Sequence, residues 1–155
     1  MAGMVDKALV NLGITLPTPA SPIANYVAFV RTGNVIVVSG QLCFGPDGKL
    51  AAKGQLGGSV SLEDGQKAAR ACAINLLAQL KAAVGDLDNV TRVIRLGGFI
   101  NATPGFLEGA KVMNGASDLM VEVFGDRGRH ARTTVGVSAL PADAAVEVEG
   151  MFEVV

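Results

Sequence analysis

Runs of apolar and β-branched residues, separated by glycine, proline and polar residues, give the chain five segments typical of β-strands. They span residues 26–31, 34–40, 89–100, 132–140 and 144–155. Thr32 and Gly33 separate the first two runs, which is a signal for a β-hairpin. The pattern therefore predicts two strands at the start of the chain, one in the middle and two at its end.

The clearest helix of the pattern spans residues 61–85. Ser61 and Asp64 form an S-x-x-D capping pattern at its start, and Gly85 supplies the stop. One face of the segment carries small and apolar residues at helical spacing, namely Ala69, Cys72, Leu76, Leu80 and Ala83. A face of this kind is expected to lie flat on a sheet.

A second long helix is predicted after the third strand. Thr103 is its expected N-cap, Pro104 its first helical residue, and Gly125 ends it. Residues 1–24 form a lead-in with a short helix and three prolines that hold the chain extended. Residues 42–60 are rich in turn-forming residues and are interpreted as a loop.

The order ββαβαββ predicts an α+β domain spanning residues 1–155, with a mixed sheet and both long helices on one face. The second face of the sheet is then left without helices and has to be covered by another protein surface. With 50% hydrophobic residues and a mean hydropathy of +0.42, the chain is unusually apolar for a small monomer. Contacts between subunits are the simplest way to bury this excess.

Charge and composition exclude several classes of protein. The net charge of −1 and a pI of about 5.8 do not favour nucleic-acid binding. We expect the N-terminal segment to be neither a signal peptide nor a membrane anchor, and Cys43 and Cys72 are interpreted as buried thiols in a reducing compartment. We therefore expect a soluble cytoplasmic protein with no membrane partner, no metal and no cofactor.

Three stretches carry a resemblance to a known family. They are "NYVAFVRTGNVIVVSGQL" (25–42), "VMNGASDLMVEVFG" (112–125) and "HARTTVGVSALPADAAVEVEG" (130–150). Together they resemble the RidA/YjgF family of reactive-intermediate deaminases, in order from about Leu12 to the C-terminus. The "LGITLP" lead-in and the insert at residues 43–60 resemble a longer bacterial branch of that family.

The resemblance implies a chorismate-mutase-like fold, a homotrimer, and ligand clefts at the subunit interfaces. It also implies hydrolysis of reactive 2-enamines and 2-imines, such as 2-aminoacrylate, to 2-keto acids and ammonia. No cofactor is implied. A 2-imino acid is a small planar carboxylate, which a guanidinium can bind with two parallel donors.

Two residues are the expected catalytic pair. Arg132 occupies the family's A-R-[ST] position, which makes it the carboxylate-binding residue by resemblance. Glu147 matches the family's water-positioning glutamate by its distance from Arg132, and the alternating "VEVE" pattern puts it on the same strand face as Glu149. The alternative for both glutamates is a solvated strand face.

By resemblance, the substrate-binding residues are Tyr26, Ser39, Asn114, Arg132 and Thr134. The first three have structural alternatives: a packed aromatic ring, a strand-end hydroxyl and a surface helix residue. Thr134 stands where shorter members often carry cysteine, so the pocket has no thiol. His130 is interpreted as a loop or interface residue, and Arg127 and Arg129 as solvated loop residues.

Two other functions are compatible with the sequence. Arg132 can hold a 2-keto acid or another small carboxylate in a binding or regulatory trimer without turnover. An endoribonuclease or translation inhibitor, as the family was formerly labelled, would need a basic groove or stacking aromatic residues. The chain has no tryptophan and one tyrosine, which disfavours that function.

Overall fold

The computed structural model describes all residues from 1 to 155. The helices are α1 (Met4–Asn11), α2 (Leu62–Val84) and α3 (Gly109–Phe124). The strands are β1 (Phe29–Thr32), β2 (Val35–Leu42), β3 (Val90–Asn101), β4 (Ala131–Val137) and β5 (Val146–Val154). The predicted order ββαβαββ is confirmed, with the short helix α1 ahead of it.

The five strands form one mixed sheet in the order β1-β2-β5-β3-β4. All neighbours pair antiparallel except β3 and β4, which are parallel and are connected through α3. The β4 strand lies at the edge of the sheet, and β5 lies at its centre. The predicted mixed α+β, chorismate-mutase-like fold is therefore confirmed.

Helix α2 forms where its capping residues predict it. The Ser61 hydroxyl accepts a hydrogen bond from the Asp64 N–H at 3.1 Å, and Gly85 ends the helix with a φ of 78°. The predicted apolar face is buried: Ala69, Cys72, Leu76 and Leu80 are fully inaccessible to solvent. Its small side chains let the helix lie close to the sheet.

One face of the sheet and the two long helices enclose the hydrophobic core. Alternation along β5 places Val146, Val148, Phe152 and Val154 in this core and the intervening residues on the other face. Both cysteines are buried and free, as predicted. None of the helices is long and apolar enough to cross a membrane.

The predicted start of α3 is wrong. Thr103 does not cap the helix, which begins six residues later at Gly109. The Thr103 N–H instead donates to the carbonyl of Leu56 at 3.0 Å, and its own carbonyl accepts from Phe106 in a tight turn. A bond to a distant segment has overridden a local capping signal. The chain between β3 and α3 therefore forms a turn at residues 103–106 before the helix begins.

The segment between β2 and α2 is a loop, as predicted, but it is firmly attached to the domain. Leu56 is fully buried in the core, and its N–H donates to the Asn101 carbonyl at 2.8 Å. At the "GPDG" turn, Gly48 N–H donates to the Gly45 carbonyl at 3.0 Å. The insert is thus part of the packed structure.

The second face of the sheet carries no helix. Val30, Val37 and Val135 lie on it and are 51%, 37% and 43% exposed. Glu147 and Glu149 lie on the same face, between the strands that carry these valines. This open face is the surface that the sequence predicts to be covered by other subunits.

Candidate functional site

Arg132 lies on the edge strand β4 with its side chain on the helix-bearing side of the sheet. Its neighbour in β3 is Leu96, which is fully buried in the core. Nη1 donates to Asn114 Oδ1 at 2.9 Å and to Ser117 Oγ at 3.0 Å, and Nη2 donates to the Ala110 carbonyl at 2.9 Å. Three positions on one face of α3 therefore hold the guanidinium in place.

These contacts use only part of the donor capacity of Arg132. A guanidinium carries five N–H groups, and helix α3 accepts from three of them. The remaining two are the Nε–H and one hydrogen of Nη2, which lie on neighbouring nitrogens. Neighbouring donors of this kind match the two oxygens of a carboxylate. The helix thus fixes the guanidinium and leaves it able to bind an anion.

Thr134 lies two residues after Arg132 and faces the same side of β4. Its Oγ1 is buried and has no hydrogen-bond partner, which is uncommon for a buried hydroxyl. Thr134 and Arg132 line a cavity of about 370 Å³. Several of its other lining residues have apolar side chains, including Ile100, Ala102, Phe106 and Leu107. The cavity is therefore lined by a cationic group, by Thr134 and by several apolar side chains.

Glu147 lies on β5 with its side chain on the open face of the sheet. It is paired with Phe99 of β3, which is paired in turn with Val135 of β4. Gly40 of β2 lies against the Glu147 carboxylate, and a Cβ atom at this glycine would overlap that carboxylate. Glycine is therefore required at position 40 for the side chain of Glu147 to keep this conformation.

The environment of Glu147 changes its proton affinity. Burial raises the pKa of Glu147 above its ordinary value of 4.5, and the neighbouring carboxylate of Glu149 raises this pKa further. Both effects disfavour the charged form. A carboxyl group with a raised pKa can take up and release a proton closer to neutral pH, as general acid–base catalysis requires.

Tyr26 and Ser39 are both close to Gly40: Ser39 precedes it in β2, and Tyr26 lines a cleft with it. Ser39 Oγ donates to the Val27 carbonyl at 2.7 Å, and Ser39 N–H donates to the Ala28 carbonyl at 2.9 Å. Tyr26 is 47% exposed and lines a cleft of about 440 Å³ together with Gly40. The hydroxyl of Ser39 therefore fastens the segment that carries Tyr26, and a contact of either residue with substrate stays a prediction.

The structure divides the predicted site residues into two clusters. The first, the arginine cluster, consists of Arg132, Asn114, Ser117 and Thr134. The second, the glutamate cluster, consists of Glu147 and Gly40, and Ser39 precedes Gly40 in β2; Tyr26 shares with Gly40 a cleft that Glu147 does not line. Since Arg132 points to the helix side of the sheet and Glu147 to the open side, one chain does not bring the two predicted catalytic residues together.

Three residues that contact Arg132 or its partners were not predicted from the sequence to belong to the site. Ser117 and the carbonyl of Ala110 hold Arg132, and His130 Nε2 lies 2.9 Å from Ser117 Oγ. Ala110, Asn114 and Ser117 are spaced four and three residues apart, so they share one helix face. This spacing is a signal that could have identified Ser117 once Asn114 was singled out.

The flanking arginines differ from one another. Arg129 is exposed and pairs only with Asp126, at 3.3 Å, in agreement with the prediction of a solvated loop residue. Arg127 is partly buried, and its Nη1 donates to the Val90 carbonyl at 2.8 Å, so the same prediction is wrong for it. Arg127 attaches the loop before β4 to the start of β3.

No three histidine, cysteine or acidic side chains lie close enough to share a metal ion.

Comparison with known proteins agrees with this fold. The family described as "YjgF/chorismate_mutase-like, putative endoribonuclease" matches residues 6–153. Protein TCP17 of Trypanosoma cruzi is 50% identical over 153 residues, which cover 98% of this chain and 95% of that protein. The chain therefore belongs to the RidA/YjgF family, as its motifs predict.

Solved structures show how far the similarity extends. Atu1372 of Agrobacterium tumefaciens, a protein of unknown function, is 45% identical with a TM-score of 0.92, over 98% of this chain and 93% of that one. RidA from an Antarctic Psychrobacter is 24% identical with a TM-score of 0.61, over 88% of this chain and 94% of its own. The second likeness is one of fold alone. The lead-in and the insert thus fit a longer group of relatives.

Proposed function

We propose that this protein hydrolyses reactive 2-enamine and 2-imine intermediates to 2-keto acids and ammonia. The observation that carries the proposal is the arginine cluster: α3 holds Arg132, and two neighbouring N–H donors remain for a carboxylate. The apolar side chains beside it suit the carbon chain of a small 2-imino acid. Thr134 lines the same cavity, and its role as a substrate-binding residue stays a prediction.

The chemistry needs one water and one group that moves protons. An enamine first takes up a proton at carbon to become the iminium form, in which Arg132 holds the carboxylate. Glu147 removes a proton from a water as the water oxygen attacks the imine carbon, and it gives this proton to the nitrogen of the resulting carbinolamine. The C–N bond then breaks, ammonia leaves, and the remaining hydroxyl proton passes to solvent as the keto group forms. The products are the 2-keto acid and ammonia. The raised pKa of Glu147 suits both transfers.

We propose further that the active site lies between subunits of a homotrimer. The two clusters face opposite sides of the sheet, so a complete site requires the arginine cluster of one subunit to meet the glutamate cluster of another. The exposed apolar residues of the open face, including Val37 and Val135, favour such packing. A location in the cytoplasm stays a prediction.

The proposed activity is tested by generating 2-aminoacrylate in situ with a pyridoxal-phosphate-dependent lyase. The decay of 2-aminoacrylate and the appearance of pyruvate are followed with and without the protein. We expect faster decay in proportion to the protein concentration. Decay at the spontaneous rate over the whole concentration range would contradict the proposal.

A carboxylate-binding protein without turnover is the second candidate. One observation favours it: the arginine cluster is complete within a single chain, whereas Glu147 lies on the opposite face. Isothermal titration with pyruvate distinguishes the two functions when it is combined with the decay assay. Binding of pyruvate without acceleration of 2-aminoacrylate decay would support the binding function and contradict hydrolysis.

A further inference from the structure

A chain of hydrogen bonds leads from Arg132 back to the loop before β4. Arg132 Nη1 lies 3.0 Å from Ser117 Oγ, Ser117 Oγ lies 2.9 Å from His130 Nε2, and His130 Nδ1 lies 2.6 Å from the Gly128 carbonyl. It connects the edge strand, helix α3 and the loop that precedes β4. Ser117 lies within the stretch 112–125 that carries the family resemblance, but no role was predicted for it from the sequence.

The direction of each bond follows from the chemistry of its atoms. A carbonyl oxygen only accepts, so His130 Nδ1 carries a hydrogen and donates it to Gly128. In a neutral imidazole the other nitrogen, Nε2, is then an acceptor, and it takes the hydroxyl hydrogen of Ser117. With its hydrogen committed to His130, the Ser117 oxygen presents a lone pair, which accepts from Arg132.

The charge of the surroundings favours this arrangement. Burial lowers the pKa of His130, and the positive charge of Arg132 lowers it further, which outweighs the bond to Gly128 that raises it. At neutral pH the ring is therefore uncharged and Nε2 is free to accept. The residues that hold Arg132 from α3, namely Ala110, Asn114 and Ser117, carry no charge.

We propose that Ser117 and His130 are positioning residues for Arg132, because they fix the guanidinium in the orientation that leaves two donors for the substrate carboxylate. Neither residue touches the substrate. Without the acceptor at His130, the Ser117 hydroxyl can rotate its hydrogen toward Arg132 and lose the bond to Nη1. This inference rests on the proposed role of Arg132 as the carboxylate-binding residue.

The test compares pyruvate affinity in four variants. His130→Leu and Ser117→Ala each remove one link, and we expect the Kd for pyruvate to rise by roughly 2- to 10-fold, the effect of one neutral hydrogen bond. His130→Gln keeps an acceptor near the position of Nε2 and should restore much of the affinity. Ser138→Ala is the matched control, because Ser138 is an exposed serine just after β4 and should bind as wild type does.

A double-mutant cycle shows whether His130 acts through Arg132. In an Arg132→Lys background, we expect His130→Leu to cause no further loss of affinity, because the guanidinium that it orients is gone. A loss as large as in the wild-type background would overturn the proposal, and so would wild-type affinity in both His130→Leu and Ser117→Ala. If the wild-type protein itself fails to bind pyruvate, this inference falls together with the proposed function.

The tautomer of His130 gives a readout that does not depend on binding. Since His130 is the only histidine of the chain, its ring nitrogens can be assigned directly in a ¹⁵N-labelled sample. We expect the hydrogen on Nδ1 at neutral pH, with Nε2 unprotonated. A hydrogen on Nε2 would reverse the bond to Ser117 and overturn the proposal.

Discussion

Replacement of Arg132 by lysine tests the carboxylate-binding geometry at constant charge. The guanidinium donates three hydrogen bonds to α3 and has two neighbouring donors left. A lysine ammonium is a point charge with three donors and cannot satisfy the helix and both carboxylate oxygens at once. Arg132→Lys should therefore weaken the binding of a small carboxylate even though the charge stays.

The expected size of this effect follows from the bonds that are lost. A hydrogen bond to a charged group contributes about 1.5–3 kcal/mol, and lysine loses at least one of the two to the carboxylate. The Kd for pyruvate should then rise by roughly 10- to 100-fold. Isothermal titration measures it directly, and circular dichroism checks that the variant is folded.

The matched control for this experiment is Arg129→Lys. Arg129 is three residues away along the chain, is exposed and contacts only Asp126, so the same change there should leave the Kd for pyruvate at its wild-type value. Wild-type affinity in Arg132→Lys would refute the assignment of Arg132. Equal losses in both variants would refute it too, because the effect would then follow from general electrostatics rather than from the geometry of Arg132.

Three further predictions concern Glu147 and RNA. Glu147→Gln removes the base, so turnover of 2-aminoacrylate should fall by roughly 10²–10⁴-fold while pyruvate binding is spared; normal turnover would contradict the role of Glu147 and leave Glu149 as the next candidate. Because the pKa of Glu147 is raised in the folded state, ionisation of Glu147 costs stability as the pH rises above 4.5. Urea unfolding should therefore find Glu147→Gln more stable than wild type at pH 7 but not at pH 4, and a gain that persists at pH 4 would contradict this explanation. Purified protein should neither bind nor cut single-stranded RNA at physiological salt; cleavage that survives repurification and is lost in Arg132→Ala would overturn this prediction.

Local signals predicted those parts of the fold that local contacts determine. The limits of α2 follow from Ser61 and Gly85, whose effects act within one helical turn. The start of α3 could not be predicted in this way, because Thr103 bonds to Leu56, which is 47 residues earlier in the chain. The contact of Arg127 could not be predicted locally either, because its partner is the carbonyl of Val90, 37 residues earlier in the chain.

The candidate site was predicted as a set of residues but not as an arrangement. Alternation within β5 predicts that Glu147 and Glu149 share a face, and the structure confirms it. Whether Arg132 shares that face depends on the register between β4, β3 and β5, which is determined by long-range pairing. Only the register shows that Arg132 and Glu147 lie on opposite sides of the sheet.

A shared active site predicts that trimers containing two different variants regain some intact sites. In Arg132→Lys the glutamate cluster is intact, and in Glu147→Gln the arginine cluster is intact. If each site takes one cluster from each of two subunits, some interfaces of a mixed trimer contain both intact clusters. Random mixing of equal amounts restores about a quarter of the sites in a ring of three subunits.

The most direct test of this account is therefore subunit complementation. The two impaired variants are unfolded together, refolded as a mixture, checked by light scattering for three times the chain mass of 15.8 kDa, and assayed for decay of 2-aminoacrylate at a low substrate concentration. We predict that activity returns to about a quarter of the wild-type value, whereas each variant refolded alone keeps only its own reduced activity. A mixed trimer no more active than the variants refolded alone, or a monomer in light scattering, would contradict a site built from Arg132 of one subunit and Glu147 of another.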